Sequence, residues 1–325
     1  MLSLPKKALL SLSVISLAMS ASFAIAAEPV KSVAVTAIVE HPALDSARDG
    51  ILHALNEAGF TEGKNLKWQY QSAQGNTATA AQIARKFIGD NPDVIVGIAT
   101  PSAQALVAGS KSVPVVFTAV TDPVQAQLTP SWEASGTNVT GVSDILELEK
   151  QIELIKEIVP EVKNIGMVYN PGEANSVAVV EAFKELLPKY GLKLVEAAAP
   201  RTVDVSSAAR SLVGKVDVIY TNTDNNVVSA YEALAKVGND SKIPLIASDT
   251  DSVKRGAIAA LGVNYRDLGE QTGRIVVRIL NGEKPGDIQP QTSENLQLYV
   301  NVTAAEKQGV LLPLSLIERA TEIIR

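Results

Sequence analysis

The sequence predicts an α/β protein made of two parallel-sheet lobes. Short apolar segments of strand length alternate with longer helical segments over residues 32–119, and the same alternation returns over residues 164–247. Val94–Ile98 is apolar at nearly every position, which is typical of a parallel strand covered by helices on both faces. The repeated element order indicates two doubly wound lobes.

The first half predicts four strands and three helices. We expect strands at residues 32–39, 66–71, 94–98 and 115–119. The first helix should run over residues 46–58, with Asp45 as N-cap and Gly59 as its stop, and the second over residues 77–88. Thr100 should cap the third helix, because a hydroxyl caps well and Pro101 suits the first helical position. Residues 136–143 predict a linker.

The second half repeats this order. Helices are expected at residues 147–159, 177–190, 205–212, 227–237 and 268–280, and strands or extended segments at residues 164–169, 193–197, 216–220, 244–247 and 257–263. In both halves the polar residues gather just after the strands. Ligands of open parallel sheets bind at the carboxyl ends of strands, so two facing lobes would line one cleft.

Composition narrows the class of protein. The chain has 325 residues, of which 46% are hydrophobic and 20% charged, as in a globular protein of two modest domains. It has no cysteine, which excludes disulfides, thiolate metal sites and a lipid-modified N-terminal cysteine. With only His41 and His53, a histidine-rich metal site is not expected. No basic cluster is present, so we expect no nucleic-acid partner.

The N-terminus predicts a cleaved secretory signal at residues 1–26. Lys6 and Lys7 form a basic start, a short apolar segment follows, and Ala24–Ala26 has the small-x-small pattern of a cleavage site. The apolar segment is too short for a membrane anchor. Removing the two lysines leaves 27 basic and 35 acidic residues and a net charge of −8. We therefore expect a soluble periplasmic protein without a lipid anchor.

The helix start after the third strand predicts an anion site. Thr100, Ser102 and the amide of Ala103 would lie at a helix N-terminus, where free amides and the helix dipole attract a carboxylate or phosphate. Thr118 at the next strand end adds a hydroxyl. The alternative is that Thr100 and Pro101 only begin a helix.

Acidic residues after the second-half strands predict a cation site. Asp224 and Asp249 are the best candidates for a ligand ammonium, because a carboxylate forms a strong charge-assisted hydrogen bond to it. The alternative is that both aspartates cap the helices that follow. Asp122, before Pro123, ranks lower as a turn residue, and His41 is a weak candidate for a base.

Motifs of common enzymes are missing. No Walker loop, dinucleotide fingerprint or Ser-His-acid order is present, so we expect no cofactor and no catalytic residue. A two-domain α/β hydrolase or oxidoreductase is the weaker alternative. A sensory ligand-binding module that reports to a receptor is the other.

Several stretches together resemble one family. They are Val39-Glu-His-Pro-Ala-Leu-Asp45, Ala99-Thr-Pro-Ser-Ala-Gln-Ala105, Phe117-Thr-Ala-Val-Thr-Asp-Pro-Val124, Asn138-Val-Thr-Gly141, Glu173-Ala-Asn-Ser176 and Thr223-Asp-Asn225. The chain resembles the tryptophan/tyrosine-type substrate-binding proteins of ABC transporters over almost all of its mature length. Two departures stand out: the lipobox cysteine of Gram-positive relatives is absent, and Ala247-Ser-Asp-Thr-Asp251 replaces a Glu-Glu-Gly segment, which leaves the role of Asp249 open.

The resemblance implies a fold and a function. The fold is that of type I periplasmic-binding proteins, in which two α/β lobes are joined by three crossovers. The lobes would comprise residues 27–140 with 264–288, and residues 141–263 with 289–325. The ligand would be an amino acid, of the aromatic kind (Trp, Phe or Tyr), captured by hinge closure. A monomer would deliver it to an inner-membrane permease that is driven by a separate ATPase.

The resemblance also implies a set of ligand-binding positions in the loops that follow the strands. They are Glu40, His41, Pro42, Leu44, Thr100, Ser102, Ala103, Thr118, Ala119, Val120, Asn170, Glu173, Asn175, Ser176, Asp224, Asn225 and Asp249.

Overall fold

A computed structural model describes residues 29–325 of the chain. The predicted signal segment at residues 1–26 lies outside the described residues. Within residues 29–325, no helix combines the length and apolar character that a membrane span requires. The strands, helices, cavities and contacts of the protein described for this structure all lie within these residues.

Thirteen strands form two separate sheets within residues 29–325. The strands are β1 Lys31–Ala37, β2 Leu66–Ser72, β3 Val94–Ile98, β4 Val115–Val120, β5 Val139–Ser143, β6 Asn164–Tyr169, β7 Lys193–Ala198, β8 Val218–Thr221, β9 Leu245–Asp249, β10 Ala259–Val263, β11 Gln291–Thr292, β12 Leu296–Asn301 and β13 Glu322–Ile324. The first sheet has the order β11-β5-β4-β3-β1-β2 and is wholly parallel. The second has the order β13-β12-β10-β9-β8-β6-β7, with β12 antiparallel to β10.

Helices cover the faces of both sheets, as parallel sheets require. They are α1 Pro42–Glu57, α2 Thr77–Asp90, α3 Thr100–Gly109, α4 Leu148–Ile158, α5 Ala174–Leu186, α6 Val205–Leu212, α7 Asn225–Ser229, α8 Tyr231–Ser241, α9 Thr250–Lys254, α10 Tyr265–Leu280, α11 Val302–Lys307 and α12 Leu314–Glu318. One apolar core fills the first lobe around Phe87 and Phe117. Two further clusters fill the two faces of the second sheet, so each lobe has its own core.

Over the described residues 29–325, the chain passes between the two sheets three times, after β5, after β10 and after β11. The predicted α/β fold with three crossovers is confirmed. We propose lobe boundaries near residues 144, 264 and 293, because β5 and β11 both lie in the first sheet. The expected boundary at 140 lies inside β5, and the expected boundary at 288 lies just before β11.

The predicted linker at residues 136–143 is wrong for its second half, which is strand β5. Glycine and threonine suggested a loop, but the strand is buried beside β4, and the Thr140 hydroxyl donates to the Ile288 carbonyl at 2.9 Å. Gly141 packs against Phe117 so closely that a Cβ would lie 2.1 Å from the Phe117 carbonyl oxygen. The small residue therefore serves strand packing.

Two predicted helix starts are also wrong. Helix α1 begins at Pro42, and its N-cap is His41, not Asp45. Helix α3 begins at Thr100, so the N-cap is Ala99 and not Thr100. In both helices a proline occupies one of the first two positions. The N-cap therefore lies earlier in the chain than the hydroxyl or carboxyl side chain that capping preferences alone select.

Helix α10 ties the second crossover to the first lobe through close contact with α1. Gly269 and Gly50 allow the two backbones to meet: a Cβ on Gly269 would lie 2.1 Å from the Ala47 carbonyl oxygen, and one on Gly50 would lie 2.3 Å from the Arg266 carbonyl oxygen. Backbone atoms cannot move aside as flexible side chains do. The close packing of α1 and α10 therefore requires glycine at both positions.

We expect Gly269→Ala to lower the free energy of unfolding by about 1–3 kcal/mol, because overpacking displaces the helix pair. The matched control is Gly89→Ala in α2, where a Cβ meets no atom within 4 Å. That variant should gain about 0.5–1 kcal/mol from helix propensity. Urea unfolding measures both changes. Equal stability of the two variants would contradict the proposed packing.

Candidate functional site

Two adjoining cavities lie in the cleft between the lobes. The central cavity is lined by strand-end and crossover residues of both lobes, namely His41, Ala43, Leu44, Ala99, Ala119, Asp144, Thr223, Asn225, Val228, Asp249 and Tyr265. The side cavity is lined by Thr121, Asp122, Gln125, Asp144, Ile145, Leu146, Leu148, Ala178, Val179, Ala182, Tyr220, Asn222, Thr223 and Ser248. Asp144 and Thr223 belong to both linings. The side cavity has a volume of about 100 Å³, and the central cavity about 10 Å³.

Strained backbone marks the first-lobe wall of the central cavity. Ala99 has φ 71° and directly follows β3, and Ala119 has φ 55° and is the last residue but one of β4. A positive φ is costly for residues with a Cβ and persists where the surrounding structure fixes it, often at ligand sites. Small side chains at these two positions keep the backbone of the wall open to the cavity.

The N-terminus of α3 stands beside Ala99. The cap residue offers no side-chain acceptor to the first amides of the helix. The Thr100 and Ser102 hydroxyls are buried, and neither has a hydrogen-bond partner. A buried polar group without a partner is uncommon and costly. The predicted anion site at this helix start therefore has two free hydroxyls, and Thr100 is the first helical residue and not the cap. The Ala103 amide, which the sequence also predicts there, already donates to the Ala99 carbonyl at 3.1 Å.

Other predicted first-lobe residues face away from the central cavity. The Thr118 hydroxyl accepts a hydrogen bond from Thr272 of α10 at 2.7 Å, so it binds the crossover helix. Glu40 and Pro42 are exposed at the rim, and Glu40 accepts from Gln74. Ala103 and Val120 are buried in the first-lobe core. Of the predicted residues in this lobe, His41, Leu44 and Ala119 line the cavity.

The His41 side chain lines the central cavity in its neutral form and caps α1. Its Nδ1 accepts the Leu44 amide proton at 3.4 Å, and its side chain is hydrogen-bonded to Asn225 of the other lobe. Burial, reinforced by the charge of Arg255, lowers the pKa of His41 to about 3. The ring is therefore neutral at physiological pH.

Two buried carboxyl groups face the central cavity. Asp249 caps α9 by accepting from the Ser252 amide at 2.8 Å and from the Ser252 hydroxyl at 2.6 Å. Asp144 follows β5 and accepts from the Tyr265 hydroxyl at 2.6 Å and from Thr121 at 3.2 Å. Burial raises the pKa of Asp249 to about 6, and burial also raises the pKa of Asp144.

The remaining predicted second-lobe residues form one polar network around Asp224. Its carboxylate accepts from the Asn170 amide at 2.6 Å, the Ser176 hydroxyl at 2.6 Å and the Val227 amide at 3.0 Å. It is fully buried, caps α7 and does not line either cavity. These contacts favour the capping alternative over a direct contact between Asp224 and a ligand.

Glu173 completes this network. It accepts from the Asn225 side chain at 2.6 Å and from the Asn175 side chain at 3.2 Å. Burial, and then the nearby charge of Asp224, raise the pKa of Glu173 to about 7. Asn225 is the member of the network that lines the central cavity. Asn170, Glu173, Asn175 and Ser176 therefore fix Asn225 and the loop before α7 in place.

Direct contacts join the lobes across the cleft. The Thr121 and Thr223 hydroxyls lie 3.1 Å apart, and His41 meets Asn225. Thr121 and His41 belong to the first lobe, and their partners belong to the second. The two walls are therefore in contact, which is a closed arrangement of the cleft.

The profile of the family described as "ABC transporter substrate binding protein" matches residues 32–324. The chain belongs to that family. Members bind a solute and are not enzymes, which confirms the expectation that no reaction is catalysed and removes the hydrolase and oxidoreductase alternative. The family is extracytoplasmic, and its members deliver a small molecule to a permease.

Three relatives show what the chain is similar to. A tyrosine-binding protein of Clostridioides difficile (strain R20291) is 41% identical over 83% of this chain and 79% of its own length. A structure of an ABC domain in complex with L-Trp, from Streptococcus pneumonia, is 34% identical with a TM-score of 0.87, over 91% and 100% of the two chains. The ligand-free, open structure of a substrate binding protein with adhesive properties, from Clostridium difficile, is 41% identical with a TM-score of 0.69, over 91% and 99%.

The two structural comparisons agree with the contacts across the cleft. The L-Trp complex is less identical in sequence than the open structure, yet its TM-score is higher. Because hinge motion changes lobe orientation more than lobe structure, this order indicates a lobe arrangement near that of the L-Trp complex.

Sequence reasoning missed several lining residues. Asp144, Tyr265 and Thr223 line the central cavity, and Asn222 and Ser248 line the side cavity. Asp144 directly follows a strand of the first sheet, so the rule that placed Asp249 would have found it if β5 had been recognised. Tyr265 carries no local signal, since only the crossover brings it to the cleft.

Asp224→Asn separates the capping role from a ligand role. An asparagine cannot accept from the Asn170 amide and the Ser176 hydroxyl through its NH₂ group, so we expect the free energy of unfolding to fall by about 1–3 kcal/mol. Affinity should change less than about threefold. A direct ammonium contact instead predicts a loss of roughly 30-fold or more. Urea unfolding and calorimetry measure the two effects, with Ser176→Ala as the control that removes one donor.

Proposed function

We propose that this protein is the periplasmic binding component of an ABC importer for an aromatic amino acid, which it captures by closing its two lobes. One observation carries the ligand class: two carboxyl groups, Asp144 and Asp249, line the central cavity together with Ala99, the N-cap of α3, and the Thr100 and Ser102 hydroxyls that follow Ala99 have no partner. An α-amino acid carries an ammonium and a carboxylate on one carbon. The cavity offers two carboxyl groups for the first, and the adjoining start of α3 offers two free hydroxyls for the second.

The ammonium would bind on the side of Asp144 and Asp249. No lysine or arginine lines the central cavity among the described residues, so its charge is acidic. The carboxylate would bind at the start of α3, where Thr100 and Ser102 have free hydroxyls. Asp249 thus replaces Asp224 as the principal ammonium partner, with Asp144 as the second.

The aromatic class of the ligand is supported by the relatives. One relative is named for tyrosine binding, and the structure with a similar lobe arrangement holds L-Trp. Capture would follow the usual logic of a ligand that stabilises the state in which both lobes touch it. The alternative of a sensory module would use the same cavity and differ in the partner of the closed form.

Export and delivery complete the proposal. Residues 1–26 have the pattern of a signal peptide, and cleavage after Ala26 would release a soluble monomer into the periplasm. The closed form would dock on an inner-membrane permease driven by a separate ATPase.

A thermal-shift screen over the twenty amino acids tests the ligand class. We expect L-Trp, L-Tyr or L-Phe to stabilise the protein, by roughly 2.7 kcal/mol at 100 times the dissociation constant. Alanine and glutamate serve as controls that share the head group. No stabilisation by any aromatic amino acid would refute the proposal.

Affinity should depend on pH through Asp249. Its pKa of about 6 in the free protein means that acid protonates the carboxyl group, while the ligand ammonium keeps its charge. We therefore expect affinity to fall about tenfold between pH 7 and pH 5, since each bound proton must be released. Calorimetry at a series of pH values measures this.

The matched control is Asp249→Asn, because asparagine still caps a helix. This variant should bind roughly 30-fold or more weakly at pH 7 and vary less with pH. Circular dichroism verifies its folding. A folded Asp249→Asn protein with the affinity and pH profile of the original chain would show that Asp249 does not meet the ammonium.

A further inference from the structure

The side cavity combines an apolar wall with polar atoms that have no partner. Leu146, Leu148 and Val179 belong to its lining. Asn222 lies on the same lining, is 2% exposed, and neither its Nδ2 nor its Oδ1 has a hydrogen-bond partner. The Ser248 hydroxyl, 1% exposed, is also without a partner. Such a lining is complementary to a ligand group that is mostly apolar and carries one polar atom at its end.

We propose that the side cavity holds the ring of the bound amino acid, and that Asn222, assisted by Ser248, binds the polar atom of that ring. This inference rests on the proposed function. It assigns to Asn222 the selection of tyrosine and tryptophan, which carry a hydroxyl or an N–H, over phenylalanine, which carries neither.

The position of the two cavities supports this assignment. Both are lined by Asp144 and Thr223, so a molecule with its ammonium at Asp144 can extend directly into the side cavity. The volume of about 100 Å³ is of the order of the roughly 150 Å³ cavity that binds one benzene molecule. The apolar wall matches a single aromatic ring.

The chemistry of the Asn222 side chain also supports its proposed contact with the polar atom of the ring. Its side chain offers two donor protons and an acceptor oxygen. A tyrosine hydroxyl can donate to Oδ1 and accept from Nδ2, and an indole N–H can donate to Oδ1. Phenylalanine leaves both atoms buried and unpaired. Sites built to pair with a ligand hydroxyl discriminate strongly against the analogue that lacks it.

Calorimetry with L-Tyr, L-Trp and L-Phe on Asn222→Leu tests the inference. Leucine has a similar size and removes both polar atoms. We expect the preference for tyrosine over phenylalanine to fall about tenfold or more, with phenylalanine affinity kept or improved. Ser248→Ala should lower the same preference by a smaller factor.

Asn138→Leu is the matched control. Asn138 is a half-buried amide of the first lobe that donates to the Val113 carbonyl at 2.8 Å, away from the cleft. This variant should keep the wild-type tyrosine-to-phenylalanine ratio whatever it does to stability. Thermal melting of the free proteins supplies a second readout: Asn222→Leu should not be less stable than the original chain, because it removes unpaired polar atoms.

The outcomes separate this inference from the proposed function. Aromatic binding with an unchanged tyrosine-to-phenylalanine ratio in Asn222→Leu overturns the role of Asn222 alone. Absence of binding of all three ligands to the original chain overturns the proposed function and this inference with it. A lowered ratio in Asn222→Leu, with the ratio kept in Asn138→Leu, supports both.

Discussion

The hydrogen bond from the Tyr265 hydroxyl to Asp144 holds the cleft together. Asp144 lies at the first crossover and Tyr265 at the second, and their oxygens are 2.6 Å apart. The second carboxylate oxygen of Asp144 accepts from Thr121, whose hydroxyl also meets Thr223 of the other lobe. One buried acid therefore connects two hinge segments, the first-lobe wall and, through Thr121, the second lobe.

The two lobes prepare their walls by different means. The first lobe uses strained alanines and a helix start at which the Thr100 and Ser102 hydroxyls have no partner. The second lobe uses a satisfied carboxylate network, in which Asp224 and Glu173 fix Asn225. Displacing either carboxylate would leave buried donors unpaired, so the two acids hold one geometry, while the Asn175 Oδ1 has no partner. The first-lobe wall thus offers donors that can bind an anion, and the second-lobe wall holds Asn225 in a fixed position.

The sequence anticipated the fold better than the site. Apolar strands such as Val94–Ile98 and the repeated element order were sufficient for two lobes, since local periodicity reports burial. Local periodicity did not identify β5, because the small residues of that strand serve packing against Phe117. For Asp224, the strand-end rule placed the residue at the end of a second-lobe strand, but it could not show that three neighbouring donors contact its oxygens. Tyr265 and Asn222 enter the cleft through tertiary structure alone.

The distribution of unpaired polar atoms explains why a ligand should be needed for stable closure. In the closed arrangement Asn222 and Ser248 of the second-lobe wall are buried without partners, as are the Thr100 and Ser102 hydroxyls next to Ala99 of the first-lobe wall. Opening the cleft returns such atoms to water, so the empty closed state is penalised relative to the open one. A ligand that pairs with atoms on both walls removes this penalty only in the closed state. It therefore has the differential affinity that any ligand-driven closure requires.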